Sequence, residues 1–173
     1  MKRPFFIVTL LLFFSAQSHC AGRDYGGWQP SRGWTVSNSG SLMASCLRYC
    51  DAISKQARHS GVPEPLVVAV ITQESGFNAL AVSPKGAKGL MQLMDINSKG
   101  INPFDVEDNL SRGIALLSRL IKKYDDLPLA LAAYNAGEGN VKKYGGIPPF
   151  KETEHYVNRV MTHYEKLRKE YSQ

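Results

Sequence analysis

Glu74 stands at the edge of the uninterrupted apolar run Leu66-Val67-Val68-Ala69-Val70-Ile71, and that placement is the clearest sign of chemistry in the chain. Such a run is buried whatever secondary structure it adopts, so a carboxyl carried at its edge is partly desolvated. Desolvation disfavours the charged form and raises the pKa, which is what a general acid working near neutral pH needs. The competing explanation is an ordinary helix-end carboxylate facing water. The residues after Glu74 bear on the choice. Ser75-Gly76, Asn78, Ser83-Pro84, Gly86 and Gly89 read as a polar, tightly turning loop before GLMQLM resumes an apolar pattern. Two other glutamates compete. Glu138 lies in a glycine-rich turn and could be solvated there, and Glu152 could cap the last helix; neither sits on an apolar wall.

Several separated blocks then agree with one family. Glu74-Ser75-Gly76, Ala81-Val82-Ser83, Gly89-Leu90-Met91-Gln92 and Ala132-Ala133-Tyr134-Asn135-Ala136-Gly137 resemble, in order, the motifs of the soluble lytic transglycosylase (SLT) catalytic domain. Ile147-Pro148-Pro149-Phe150, Glu152-Thr153 and Tyr156-Val157 resemble its closing motif. The resemblance runs from about Ser45 to Tyr164, and several blocks at their own spacings are far more specific than any one. It implies a mostly α, lysozyme-like α+β fold: a single compact helical domain with an active-site cleft, requiring neither cofactor nor metal.

The implied activity is that of a peptidoglycan lytic transglycosylase, a carbon-oxygen lyase cutting the β-1,4 bond between N-acetylmuramic acid and N-acetylglucosamine. Most glycosidases use two carboxylates, one as acid and one as nucleophile or base. This chain offers one well-placed candidate. In the family the muramic N-acetyl group assists departure and the sugar's own C6 hydroxyl attacks the anomeric carbon, so Glu74 would serve first as acid and then as base, leaving a 1,6-anhydromuramoyl end. The other roles carry over by position. Ser83, nine residues after Glu74, matches the serine near the acetamido group; Gln92 matches the glutamine that orients sugar; Tyr134 would lie near the acid, and Asn135 would hold the wall. Glu152 and Tyr156 would line the cleft, and Met91 could pack under a sugar face, although methionine at helical spacing is more often core. For Ser83 a turn role, and for Gln92 and Asn135 structural hydrogen bonding, compete with these. One departure stands out: the proline that often follows the glutamine block is replaced by Asp95. Two rivals remain, a goose-type lysozyme that would need a carboxylate such as Asp95 to activate water, and a non-catalytic glycan-binding assembly protein.

The elements that must position these residues are helical by pattern. Leu42, Met43, Cys46, Leu47, Cys50 and Ile53 recur at three- and four-residue spacing and predict an amphipathic helix from Ser41 to His59. For the next segment the signals conflict: Val67, Val68, Val70, Ile71 and Thr72 favour a strand, Pro65 at a first helical position favours a helix, and the family resemblance implies a helix. A helix capped by Asp105 or Asp108 runs through Tyr124, with Leu110, Ile114, Leu117, Leu120 and Ile121 as its buried stripe. Leu127 to Ala136 is another, closed by Gly137 and Gly139, and Glu152 to Tyr171 is the last.

The first residues read differently. Met1-Lys2-Arg3, apolar Phe5 to Phe14 and small residues from Ser15 to Ala21 predict a signal peptide over 1–20 and a periplasmic protein. Lipidation at Cys20 is the alternative, against which Gln17-Ser18-His19 argues. Residues 21–40 read as a flexible Gly/Ser/Trp leader, and 41–173 as the catalytic domain. Losing Lys2 and Arg3 leaves 19 of the 21 basic residues against 15 acidic ones, a net charge of +4, which suits an acidic polymer as readily as plain solvation. No dense basic run with interleaved aromatics supports nucleic-acid binding. Cys46 and Cys50 share a helix face and could pair or stay free, and too few ligands surround them for zinc. In size the chain resembles small transglycosylases serving secretion, pilus or conjugation machines, which implies glycan strands as substrate and such a machine as partner.

Overall fold

The second helix decides the fold, and it forms against the propensity of its own residues. The computed structural model describes residues 48–171 together with the backbone of two strands, β1 (Tyr25–Gln29) and β2 (Gly33–Val36). Helix α1 spans Cys50–Ser60 and α2 spans Glu64–Glu74, which begins on Pro63 with Pro65 in its first turn. Every residue of α2 from Leu66 to Gln73 is buried. A helix wrapped in protein on all sides needs no polar face, so burial of the Val and Ile side chains overrides their strand preference.

Four further helices follow: α3 (Val106–Tyr124), α4 (Leu127–Ala136), the short α5 (Glu138–Tyr144) and α6 (Lys151–Glu170). Helix α6 lies along α2 and also against α4, while α3 packs on α1 and α4. Asp105 caps α3 by accepting from the Asp108 amide at 3.0 Å, and Asp126 caps α4 by accepting from the Leu129 amide at 2.7 Å. Leu110, Ile114, Leu117 and Leu120 bury the expected stripe of α3, and Ala130 to Ala133 are buried along α4. At the far end Glu64 fastens three helices, accepting from Ser54 Oγ at 2.5 Å and from the Tyr171 hydroxyl at 2.9 Å.

Between α2 and α3, residues 75–105 fold without a helix into a wall stitched by bridges from Val82 to Lys88 and from Lys88 to Leu93. One buried side chain organises it. Asn109 of α3 accepts from the Met91 amide at 2.8 Å and donates to the carbonyls of Lys88 at 3.1 Å and Pro103 at 2.7 Å. Gly89 makes this possible: its φ is +76°, and a Cβ there would overlap the Pro103 carbonyl and the Asn109 amide.

Of the helix foreseen from Ser41 to His59 the described part is Cys50–Ser60; Leu42, Met43, Cys46 and Leu47 lie outside the described residues. Two expectations change. Glu138 opens helix α5 instead of sitting in a turn, because Arg119 and Lys123 of α3 both engage its carboxylate. Glu152 caps nothing; α6 starts at Phe150 without a side-chain cap. The strands β1 and β2 pair antiparallel, as their Trp, Thr and Val content permits. The signal-peptide residues lie outside the described ones. Cys50 is in a disulfide, so the free-thiol alternative falls for it, and its partner among the chain's three cysteines is undescribed. Among the described residues no helix is long and apolar enough to cross a membrane.

Candidate active site

The end of α2, the 75–105 wall, and the inner faces of α4 and α6 border an open cleft of about 150 Å³. Glu74 comes from the last turn of α2, Ser83, Lys85, Gln92 and Asn97 from the wall, Tyr134 and Asn135 from α4, and Glu152, His155, Tyr156 and Arg159 from α6. Of the residues expected from sequence, all but Met91 meet here.

Glu74 is partly buried at the cleft floor, and its Oε1 accepts from the Tyr156 hydroxyl at 2.6 Å. Its pKa is pushed up to about 8, chiefly because burial strips water from the carboxylate; the Tyr156 hydrogen bond works against this, and the nearby charge of Glu152 adds to it. At neutral pH the side chain therefore holds its proton. Burial and the neighbouring Glu74 push the phenols of Tyr134 and Tyr156 well above their ordinary value, so both remain donors. Tyr134 donates to the Met91 carbonyl at 2.8 Å, which ties the wall to α4 beside the acid.

Gln92 adopts a left-handed φ of +47°, and its Nε2 donates to the carbonyls of Gly89 at 2.9 Å and Ala81 at 3.2 Å. Both partners are acceptors, so the amide orientation is fixed, and Oε1 is left buried without a partner. Ser83 Oγ accepts from the Ala87 amide at 3.1 Å, closing the turn it sits in. Asn135 Oδ1 accepts from Thr153 Oγ1 at 2.9 Å, which joins α4 to α6. These contacts are the structural bonds that competed with sugar contacts for the three residues, and each side chain still borders the cleft.

Met91 is the correction. Its side chain is fully buried against Gly113 of α3, where a Cβ would collide with its sulfur, and so it packs in the core beneath the wall and cannot reach a sugar face. Asp95 is 82 % exposed, pairs with Lys88 Nζ at 2.7 Å and does not border the cleft, which leaves it badly placed to activate water there. Glu138 faces away, held by Arg119 and Lys123.

Sequence reasoning missed Lys85, Asn97, His155 and Arg159. The last two follow Glu152 by three and seven residues, the spacing of a single helix face, and that periodicity was a readable signal once Glu152 and Tyr156 were assigned to the cleft. Asn109 was missed because nothing in its neighbourhood marks it. Among the described residues no group of three or more His, Cys, Asp or Glu is arranged to hold a metal ion.

The family model described as the transglycosylase SLT domain matches residues 51–157, well over half of the chain and every cleft residue named above except Arg159. The chain belongs to this family. Among proteins to which the SLT domain is similar are the transglycosylase of Enterobacteria phage PRD1, 32 % identical over 122 residues that cover 69 % of this chain and 44 % of that protein, and membrane-bound lytic murein transglycosylase F of Desulfosudis oleivorans, 37 % identical over 105 residues covering 55 % and 23 %. The 70 kDa soluble lytic transglycosylase in complex with bulgecin A superposes with a TM-score of 0.68 at 26 % identity, over 75 % of this chain and 25 % of that one. An inactive mutant of the lytic transglycosylase Slt from Pseudomonas aeruginosa gives 0.62 at 29 %, covering 68 % and 24 %. The chain thus spans less than half the length of these relatives. The fold is the mostly helical, lysozyme-like single domain of that family.

Proposed function

We propose that the chain is a peptidoglycan lytic transglycosylase that cuts the β-1,4 bond between N-acetylmuramic acid and N-acetylglucosamine, with Glu74 as its only acid and base. The observation that carries this is a carboxyl with a pKa of about 8 on the floor of a cleft whose other carboxylate, Glu152, is occupied by Lys85. Glu74 donates its proton to the departing glycosidic oxygen as the bond to the anomeric carbon breaks. The substrate's acetamido group supports the electron-poor carbon. Glu74, now a carboxylate, takes the proton of the C6 hydroxyl as its oxygen bonds to that carbon, and a 1,6-anhydromuramoyl end results with no water consumed. Tyr156, a permanent donor to Glu74 Oε1, steadies the carboxylate between the two transfers. The hydrolytic alternative needs a second carboxylate to activate water, and Asp95 lies outside the cleft.

The reading extends to a periplasmic protein that opens the wall locally for a secretion, pilus or conjugation apparatus; the signal-like pattern of residues 1–20 supports the first part, and analogy within the family supports the second. The relatives named as lytic murein transglycosylases support the substrate class. The test is mass spectrometry of fragments released from purified peptidoglycan in ¹⁸O-water. Anhydro ends without label are expected; labelled reducing ends would make the protein a lysozyme.

A further inference from the structure

Lys85 and Glu152 face each other across the cleft, one from the wall and one from the first turn of α6, with Lys85 Nζ 2.7 Å from Glu152 Oε2. Both are well exposed, Lys85 at 67 % and Glu152 at 48 % of the side chain. An ion pair that wet is worth at most about 1 kcal/mol, so Lys85 can exchange Glu152 for another carboxylate at little cost. The charges around it favour such an exchange. With Glu74 protonated at neutral pH, the fixed charges bordering the cleft are Lys85, Arg159 and Glu152, a positive excess.

A glycan backbone is uncharged and gives a lysine nothing specific to meet. The substituent on each muramoyl unit is different, because its lactyl group ends in a carboxylate or in a peptide that bears several. We propose that Lys85 is a specificity residue that leaves Glu152 to bind a carboxylate of the muramoyl substituent, so that the cleft selects acidic strands over neutral ones. This rests on the proposed glycan substrate but not on cleavage. The ammonium suits the task as a point charge on a flexible stem, able to follow a carboxylate whose position varies along a strand. Its place two residues beyond Ser83, on a wall held rigid by Asn109, keeps it at the cleft mouth while leaving the side chain free to turn.

The test measures binding of stem-bearing glycan strands, and of the same strands with every carboxylate converted to a carboxamide, to full-length Glu74→Gln and Glu74→Gln/Lys85→Met proteins. The glutamine stands in for protonated Glu74 and abolishes turnover, so the readout survives failure of the proposed reaction. The Lys85-containing protein should prefer native strands about two- to fivefold, the Lys85→Met protein should show a ratio near one, and Lys85→Arg should restore most of the preference. Strands stripped of peptide, whose only carboxylate is lactyl, identify the source: a preference that persists on them points to the lactyl group, and one that vanishes points to the peptide. An equal loss of affinity for native and carboxamide strands, an unchanged ratio in Lys85→Met, or no binding of either strand by any variant would overturn the proposal.

Discussion

At the scale of single residues the site turns on how far burial can move one carboxyl. Removing water from Glu74 outweighs the Tyr156 hydrogen bond, and the pKa settles at about 8. Activity that needs the protonated acid therefore falls as pH rises through about 8. Because the Tyr156 hydroxyl favours the carboxylate, Tyr156→Phe should move that alkaline limb to higher pH, by up to about one unit, while lowering the maximal rate; a limb that stays or moves down would contradict the assignment. The same shift costs stability. Between the ordinary carboxyl value of 4.5 and about 8 the folded protein holds a proton that the unfolded chain has released, so stability declines as pH rises across that window. Glu74→Gln should match the parent near pH 4.5 and exceed it by about 2–4 kcal/mol at pH 8 in denaturant titrations. A difference independent of pH would mean the carboxyl is not desolvated. Glu74 itself was legible because it follows an apolar run and heads the series of blocks that resemble the SLT motifs. Met91 was misjudged because a motif position says nothing of which way the side chain points, and Lys85 was invisible because a lone lysine beside Pro84 looks like any solvated loop residue.

At the scale of elements, the helices that were legible are those whose own residues mark both face and ends. The α3 stripe with a cap at Asp105 or Asp108, and α4 from Leu127 to its close at Gly137, follow from spacing and capping chemistry, and the structure adds the Asp126 cap. Helix α2 could not be settled locally, since Val and Ile favour strands and only burial on every side, a property of the finished fold, decides the matter. Helix α5 escaped notice because it depends on Arg119 and Lys123, a turn or more apart on another helix. The wall depends most on distant support. Asn109→Ala leaves the Met91 amide and two carbonyls without their partner, and should cost about 2–4 kcal/mol in chemical denaturation. Gln92 and Tyr134 both meet the segment Asn109 anchors, so turnover should fall along with stability; a loss below 1 kcal/mol would show that the wall holds itself.

At the scale of the molecule, one buried helix delivers the acid and three separate parts of the chain close around it: the irregular wall, α4 and α6. None of them makes the cleft alone, which is why the motifs are scattered over the sequence from Glu74 to Tyr156. The division of labour is plain in the bonds that cross between parts, Tyr134 to the Met91 carbonyl, Thr153 to Asn135, and Tyr156 to Glu74. Each joins two elements at the point where a cleft residue must be held. On the proposed reading all the proton transfers fall to Glu74, and the remaining side chains position it and the glycan. The most direct test compares the parent and Glu74→Gln proteins in the release of 1,6-anhydromuramoyl fragments from purified peptidoglycan, with the fold of each checked by circular dichroism. A folded Glu74→Gln protein that binds glycan while its release rate falls by about a thousandfold or more is the predicted result, and appreciable release by that folded variant would contradict the account.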